Sequence, residues 1–323
     1  MHNMCPLVSV VIPSYNHAAY LAKRIDSVLQ QLIANIEIII LDDCSSDNSR
    51  EIIEYYGSLD KRIIVYFNNK NSGSVFKQWK KGISLAKGKY IWIAESDDFA
   101  EHNFLSVLTP LLENDEAMSI AYCNSTIVNE NGAATGKISD TRNGIFNTNY
   151  WEKDYISDGI QEIKYYLSLE CTVNNASAAL FRRSSIEAAG GVDTTFRYAG
   201  DWMTYIKLCM RGRIAYTAAC LNNYREHGLN ASKKSVLDGS LLFERQKCFA
   251  FLYQSGVLDN ASREKMVAKS SVEYLRLIYT IIRERQEFYR MFKIATSISK
   301  ISIAYFFRVQ YLAVGMMTTF TSR

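Results

Sequence analysis

The sequence predicts an α/β fold: a single, mostly parallel sheet flanked by helices, with a helical C-terminal extension. Three observations predict it. Short apolar runs alternate with amphipathic helical patterns through the first half of the chain. Two acidic pairs, Asp42-Asp43 and Asp97-Asp98, follow directly on apolar runs, where the carboxyl ends of parallel strands meet their ligands. Beyond Ser240 the pattern becomes wholly helical.

The elements follow in order. Leu7–Pro13 reads as a buried strand, and a helix over about His17–Gln31 carries Leu21, Ile25, Val28 and Leu29 on one face. Ile36–Leu41 is a second strand, and Asn48–Tyr56 a helix behind a Ser/Asp cap. Arg62–Phe67 and Ser74–Ala86 repeat the strand–helix pair. Lys89–Ala94 is a fourth strand, ending at Glu95-Ser96-Asp97-Asp98, and is followed by a helix near His102–Glu113 and a strand near Met118–Tyr122. Cys123–Tyr155, rich in Asn, Gly and Thr, predicts an irregular excursion bordering the site. Regularity returns at Gly159–Leu169, Ser177–Phe181, a helix over about Asp201–Arg211 and a strand at Arg213–Ala218. No internal repeat is visible.

At 323 residues with 48% hydrophobic and 22% charged, the chain has globular composition. Its seven cysteines form neither a CxxC pair nor a metal-ligand spacing, which fits reduced thiols in a cytoplasmic protein. The apolar run Leu7–Pro13 is short and lacks a basic leader, so no signal peptide is expected. Charge is unevenly placed. From Ala261 onward there are 11 Lys/Arg and 4 Asp/Glu, whereas the first 260 residues hold 26 basic and 29 acidic side chains. That asymmetry points to an anionic surface as partner of the basic end.

Carboxylates at two strand ends can accept hydrogen bonds from a base or ribose, and can hold a hard divalent cation that neutralises a diphosphate. A sugar nucleotide requires both, because its leaving group departs as a charged phosphate oxygen that a metal stabilises as a Lewis acid. For one pair alone, capping of the helix near Asn48 by Ser46 or Asp47 is an equal reading. Two pairs at two strand ends favour function.

The segments VSVVIPSYNHAAYL, DDCSSDNS and NSGSVFKQWKKGISLAKGKYIWIAESDD, in that order over about Pro6–Phe99, resemble the family 2 glycosyltransferases of the GT-A fold, whose Rossmann-like sheet suits the alternation above. The likeness extends less tightly to Ser232. It implies an inverting transferase of surface polysaccharide synthesis that moves a sugar from a UDP-, dTDP- or GDP-sugar to a saccharide or lipid-linked saccharide hydroxyl. Carried over by position, it assigns Pro13, Tyr15 and Asp43, with Asp42 nearby, to the nucleoside. It assigns Asp98 to a divalent metal (Mn2+ or Mg2+) and Asp97 to a ribose or supporting contact. Asn71 and Gly73 form the Asn-x-Gly turn on the donor side. Many family members follow that turn with Ala-Arg-Asn, whereas this chain has Lys77-Gln78-Trp79. Lys77 then stands either at the diphosphate, as a point charge without the guanidinium fork, or as a solvated helix residue.

An acceptor hydroxyl must lose its proton during attack, and a carboxylate is a suitable base. Asp201, opening the helix GDWMTYIKLC, matches the acidic residue that family members place there; its other reading is an N-cap. Asp193 competes, but Gly191-Val192-Asp193 reads as a turn. Tyr224-Arg225-Glu226-His227, with Asn230 and Ser232, resembles a Tyr-Arg-x-His-x-x-Asn-x-Ser motif. It makes His227 a metal ligand or diphosphate contact and Arg225 a phosphate contact; a structural role for this histidine has equal weight.

The expected division is a catalytic domain over 1–235, with donor part 6–122 and acceptor part 123–235, then a helical region 236–323. In that region Leu275, Ile278, Ile281 and Ile282 share a face. From Met291 to Arg323 there are four basic residues and no acidic one, and the longest uncharged run, Val309–Ser322, has 14 residues. That is short of the ~20 a membrane span needs. Two readings have equal weight: an interfacial helix on the inner face of the cell membrane, or helices packed on protein, including a second copy of the chain. A nucleotidyltransferase is disfavoured, because SYNHAAYL stands where a Gly-rich pyrophosphate loop would follow the first strand. A dinucleotide oxidoreductase lacks its GxGxxG. A non-catalytic sugar-binding or assembly subunit is opposed by the full set of Asp43, Asp98 and Asp201. Nothing points to nucleic acid.

Overall fold

A computed structural model describes residues 5–173, 175–228, 240–283, 304–305 and 308–313. Two compact units result, one of Met1–Gly159 with Val173–His227, the other of Ile160–Thr172 with Gly228–Arg323.

The first unit is built on ten strands in one sheet: β1 (Val8–Ser14), β2 (Ile36–Asp42), β3 (Ile63–Phe67), β4 (Tyr90–Ile93), β5 (Phe99–Ala100), β6 (Met118–Val128), β7 (Ala134–Lys137), β8 (Tyr155–Asp158), β9 (Ala179–Arg182) and β10 (Arg213–Arg225). Their order is β3-β2-β1-β4-β9-β6-β10-β5, with β7 on β6 and β8 on β10. The β1, β2, β3 and β4 pairings are parallel, as is β6 with β10, while β9 runs antiparallel between β4 and β6. The sheet is therefore mostly parallel, as the sequence predicts.

Alternation fixes which side chains face which layer. Val8, Val10 and Ile12, with Ile36, Ile38 and Ile40 and with Tyr90 and Trp92, join one buried cluster. Leu21, Ile25 and Val28 of α1 (Ala18–Leu29), Ile53 of α2 (Ser49–Leu59), and Phe104, Leu105, Leu108 and Leu112 of α4 (Phe104–Glu113) complete it. Each such side chain contributes about 1.5–3 kcal/mol on burial. Helix α3 (Val75–Leu85) covers the other face, so closely that a Cβ on Gly82 would lie 2.3 Å from Val11 Cγ1. The remaining helices of this unit include α5 (Ile138–Phe146), α7 (Arg183–Ala188) and α8 (Gly200–Cys209). Gly159 opens α6 (Gly159–Glu162), and the next turn, Ile163–Leu167, is a π-helix closed by Ser168 N donating to Ile163 O.

The irregular excursion expected over Cys123–Tyr155 is instead structured. Strand β6 continues to Val128, and β7, α5 and a 3-10 turn at Tyr150–Glu152 follow. Strand β10 likewise continues seven residues beyond the expected Ala218. Both extensions carry buried polar side chains, which hides them from a hydrophobicity reading. Asn124 is bonded to Ser139, Asn222 Nδ2 to Ser125 Oγ, and Asn223 Nδ2 to Glu101 Oε1.

In the second unit, α9 (Ser240–Ser255) and α10 (Asn260–Arg283) bury Phe249, Leu252, Met266, Val267 and Leu277. Arg245 donates from Nε and Nη2 to both carboxylate oxygens of Glu273, each at 2.7 Å, and also binds Glu170. Asn230, Ser232, the side chains of Ile278, Ile281 and Ile282, and most of 291–323 lie outside the described residues. No helix among the described residues is long and apolar enough to cross a membrane.

Candidate active site

The site lies along the carboxyl edge of the parallel strands. On the β1–β2 side, Pro13 is buried in β1 opposite Leu41 of β2, and Tyr15 is 48% exposed just beyond. Asn16 and Cys44 both adopt positive φ, 54° and 64°, where the two loops turn together; Asn16 N donates to Ser45 Oγ and Ser46 N to Asn16 Oδ1. Asp47 holds the starts of two helices, accepting from Ala18 N and Ser49 N. Asp47 thus takes a capping part for the first amide of each helix, although the N-cap residues themselves, His17 and Asn48, make no side-chain capping bond.

Asp42 accepts from Ser45 N, and its Oδ1 is buried without a partner. Asp43 holds the following turn: its carboxylate accepts from Asn68 Nδ2 at 2.7 Å, Ser72 N at 2.9 Å, Ser72 Oγ at 2.7 Å and Gln78 Nε2 at 2.8 Å. Asn71 Nδ2 donates to Asp43 O, and Asn71 Oδ1 accepts from Gly73 N, whose φ of 73° suits glycine. Lys77 donates to Ser72 O across the same turn. Asp42, Asp43, Asn71, Gly73 and Lys77 thus form one cluster, with the Asp43 carboxylate fully occupied by protein donors.

On the β4 side, the chain leaves the sheet as Glu95-Ser96-Asp97-Asp98 and returns as β5, which pairs antiparallel with β10 through Asn223↔Phe99. That ladder lays the end of β10 beside the acidic loop. Arg225 N donates to Asp98 Oδ1 at 2.9 Å, and Arg225 Nε to Asp97 O at 2.8 Å. Two residues on, His227 Nε2 lies 3.1 Å from Asp97 Oδ2. From the start of α1, His17 enters the same space, its Nδ1 2.8 Å from Ser96 Oγ. His17, Asp97 and His227 each offer a ligand atom, all within 4.8 Å of one another.

Asp98 is not among these three. It is 2% exposed, and its second oxygen accepts from Asn175 Nδ2 at 2.8 Å, so it braces the loop from within. The geometry thus differs from the expectation that gave Asp98 the metal and Asp97 a supporting part. Beyond Asp97 O, Arg225 Nη1 donates to Asn129 O and Glu130 O, and its guanidinium lies 4.7 Å from the Tyr20 ring. These bonds tie the β6–β7 turn to the acidic loop.

Electrostatics sort the carboxyls. Burial pushes Asp97 up, but the His227 hydrogen bond and the His17 charge outweigh it and hold the group below the usual carboxylate range. Burial and the Asp97 charge raise Asp98. Burial and Asp97 likewise push Glu95 up to about 8, although Trp79 Nε1 donates to Glu95 Oε1. Burial lowers His17. The cluster therefore presents a carboxylate that stays ionised beside two imidazoles, and a cation would bind the imidazoles in their neutral form.

Asp201 lies in the first turn of α8 rather than at its N-cap, which is Ala199. A carboxylate there is favoured by the helix dipole. Gly200 presses on Phe76 of α3, where a Cβ would lie 2.8 Å from the ring, and Phe76 packs edge-on against Trp79. Asp193 forms the expected turn, accepting from Thr195 N and Oγ1. Sequence reasoning missed His17, Glu95, Gln78 and Asn175 as site residues. His17 carried a usable signal: it lies inside the SYNHAAYL segment of a chain with 4 histidines.

The model of the glycosyl transferase family 2 matches residues 9–190. Glycosyltransferase GlyG of Streptococcus pneumoniae is 40% identical over 114 residues, covering 35% of this chain and 38% of that protein. Among solved structures, S. aureus TarS residues 1–349 in complex with UDP-GlcNAc superposes with a TM-score of 0.66 at 15% identity, over 91% of this chain and 80% of that one. The Pyrobaculum calidifontis mannosyltransferase PcManGT in complex with GDP-Man and Mn2+ gives 0.62 at 13%, over 97% and 88%. At these identities the structures show a shared fold.

Proposed function

The chain belongs to glycosyl transferase family 2, and from that premise we propose that it is an inverting, metal-dependent enzyme moving a sugar from a nucleoside-diphosphate donor to a saccharide hydroxyl in surface polysaccharide synthesis. The observation that carries this reading is the convergence of His17, Asp97 and His227 within 4.8 Å at the strand edge. Two imidazoles and a carboxylate fit a divalent transition ion such as Mn2+ better than Mg2+, which prefers oxygen ligands and keeps its waters. Ser96 would fix the His17 ring from behind, as outer partners of metal-bound histidines do. The bound ion would supply Lewis-acid stabilisation of the departing diphosphate. Pro13, Tyr15 and the turn braced by Asp43, with Asn71 and Gly73, would seat the nucleoside. Asp201 would take the acceptor's proton, as a half-buried carboxylate in the first turn of a helix whose Gly200 packs on Phe76. The partners of the similar structures, UDP-GlcNAc in TarS and GDP-Man with Mn2+ in PcManGT, support a nucleotide-sugar donor. A lipid-linked acceptor belongs to the same reading.

The test is a titration of UDP-, dTDP- and GDP-sugars with and without Mn2+, followed by transfer assays. Binding strengthened by Mn2+ is expected, and Asp201→Asn should keep that binding while transfer falls about 10²–10⁴-fold. A wild-type protein that binds no sugar nucleotide in Mn2+ would overturn the proposal, and full turnover by Asp201→Asn would remove the base.

A further inference from the structure

Helix α1 buries Leu21, Arg24, Ile25, Ser27 and Val28. Four of these suit the core, and Arg24 does not. Its side chain is 0% exposed, and a guanidinium taken from water is costly unless fully paired. No hydrogen bond to a carboxylate among the described residues accompanies it. Nε donates to Glu95 O at 2.8 Å and Nη2 to Ser177 Oγ at 3.1 Å, while Nη1 is buried with no partner among the described residues. Burial lowers its pKa to about 10, with Asp98, Asp97 and Glu95 as the charges that oppose the fall, so the group stays cationic at neutral pH.

What Arg24 does hold is the root of the acidic loop. Glu95 O is fixed by Arg24 directly, and Glu95 N donates to Ser177 Oγ at 3.0 Å, the hydroxyl that Arg24 also binds. Ser177 in turn follows Asn175, which braces Asp98. Both sides of the Glu95 residue are thereby pinned two positions before Asp97. The same guanidinium places a fixed positive charge beneath three carboxyls that repel one another.

We propose that Arg24 is a positioning residue of the transfer site: from below, it holds Glu95-Ser96-Asp97-Asp98 in its cation-binding shape and balances that loop's charge. The inference rests on the metal reading given above. Among the described residues Nη1 has no partner inside the core, so the guanidinium is a cost to the fold that its hold on the acidic loop offsets. Removing one partner of a buried charge set costs stability whatever its role, so the telling readout is Mn2+ affinity of the folded variants, compared with the charge-keeping Arg24→Lys.

The experiment measures Mn2+ affinity by electron paramagnetic resonance for wild type, Arg24→Lys, Arg24→Gln and Arg24→Met, with melting temperature and metal-free uridine and guanosine binding as controls. Removing a supporting contact of a metal ligand weakens the metal about 10–100-fold. Arg24→Met and Arg24→Gln should show that loss while nucleoside binding by the folded protein holds, even where melting temperature falls; Arg24→Lys, which keeps the charge, should recover most of the affinity. Mn2+ binding within twofold of wild type in Arg24→Met overturns the inference, as does Arg24→Gln matching wild type. If Arg24→Met fails to fold, Arg24→Lys against Arg24→Gln decides, and equal affinity in those two overturns it. Wild type that binds no Mn2+ removes the metal reading and this inference together, whereas unchanged binding in all variants removes only the latter.

Discussion

At the scale of the residue, the acidic loop shows how one sequence run yields unlike side chains. Glu95, Asp97 and Asp98 lie within four positions, yet Asp97 is held low by two histidines while its neighbours are raised by burial and by Asp97 itself. Glu95 makes this testable. Its pKa rises from 4.5 to about 8 in the fold, so the folded state retains a proton that the unfolded chain releases. The stability this group contributes is complete below pH 4.5, is lost as pH climbs toward 8, and is level above that. Glu95→Gln removes the titration and retains an acceptor for Trp79. In metal-free buffer its melting temperature relative to wild type should climb between pH 5 and 8 and then level off. A difference independent of pH would show that Glu95 does not hold its proton.

Elements carry a second lesson. The strands that place the site were legible because Val8-Val10-Ile12 and Ile36-Ile38-Ile40 bury one face while Val11, Ile39 and Leu41 bury the other, which leaves continuous apolar runs. The polar ends of β6 and β10 were not, because Asn124, Asn222 and Asn223 are held by side-chain bonds to Ser139, Ser125 and Glu101 that no periodicity encodes. The acidic pairs were legible as strand ends. Which carboxylate turns outward was not, since it depends on Asn175 and the Arg225 amide reaching Asp98 from distant elements. His17 reads from the sequence only as the start of a helix. Helix α3 shows how tightly an element couples sheet to site, since Gln78 and Trp79 contact Asp43 and Glu95 from the same turn. Gly82 sets its distance from the sheet. Alanine there has the better helix propensity by about 1 kcal/mol, but its Cβ would lie 2.3 Å from Val11 Cγ1 and 3.1 Å from Leu41 Cδ1, both in the closed core. Overpacking costs about 1–3 kcal/mol, so Gly82→Ala should lower stability in denaturant unfolding and weaken nucleotide binding with it. Unchanged stability would mean that α3 can lift without cost.

For the whole molecule, the decisive quantity is where charge lies along the chain. The surplus of basic residues falls after Ala261, against an acidic remainder, and 291–323 combines four cations with Ile, Phe, Tyr and Met. Each Lys or Arg near an anionic leaflet contributes about 1 kcal/mol, and the attraction decays within a Debye length of about 8 Å at physiological salt. An interfacial helix would add apolar burial that salt does not screen. The membrane reading therefore predicts two-part behaviour. The full chain should sediment with phosphatidylglycerol vesicles at low salt, lose part of that binding at 0.5 M NaCl, and fail to bind neutral phosphatidylcholine. Deleting 291–323 should abolish sedimentation while Mn2+-dependent nucleotide binding is retained. If the full chain ignores anionic vesicles, the basic segment meets protein instead, and sedimentation equilibrium of the two forms should then show whether the partner is a second copy of the chain.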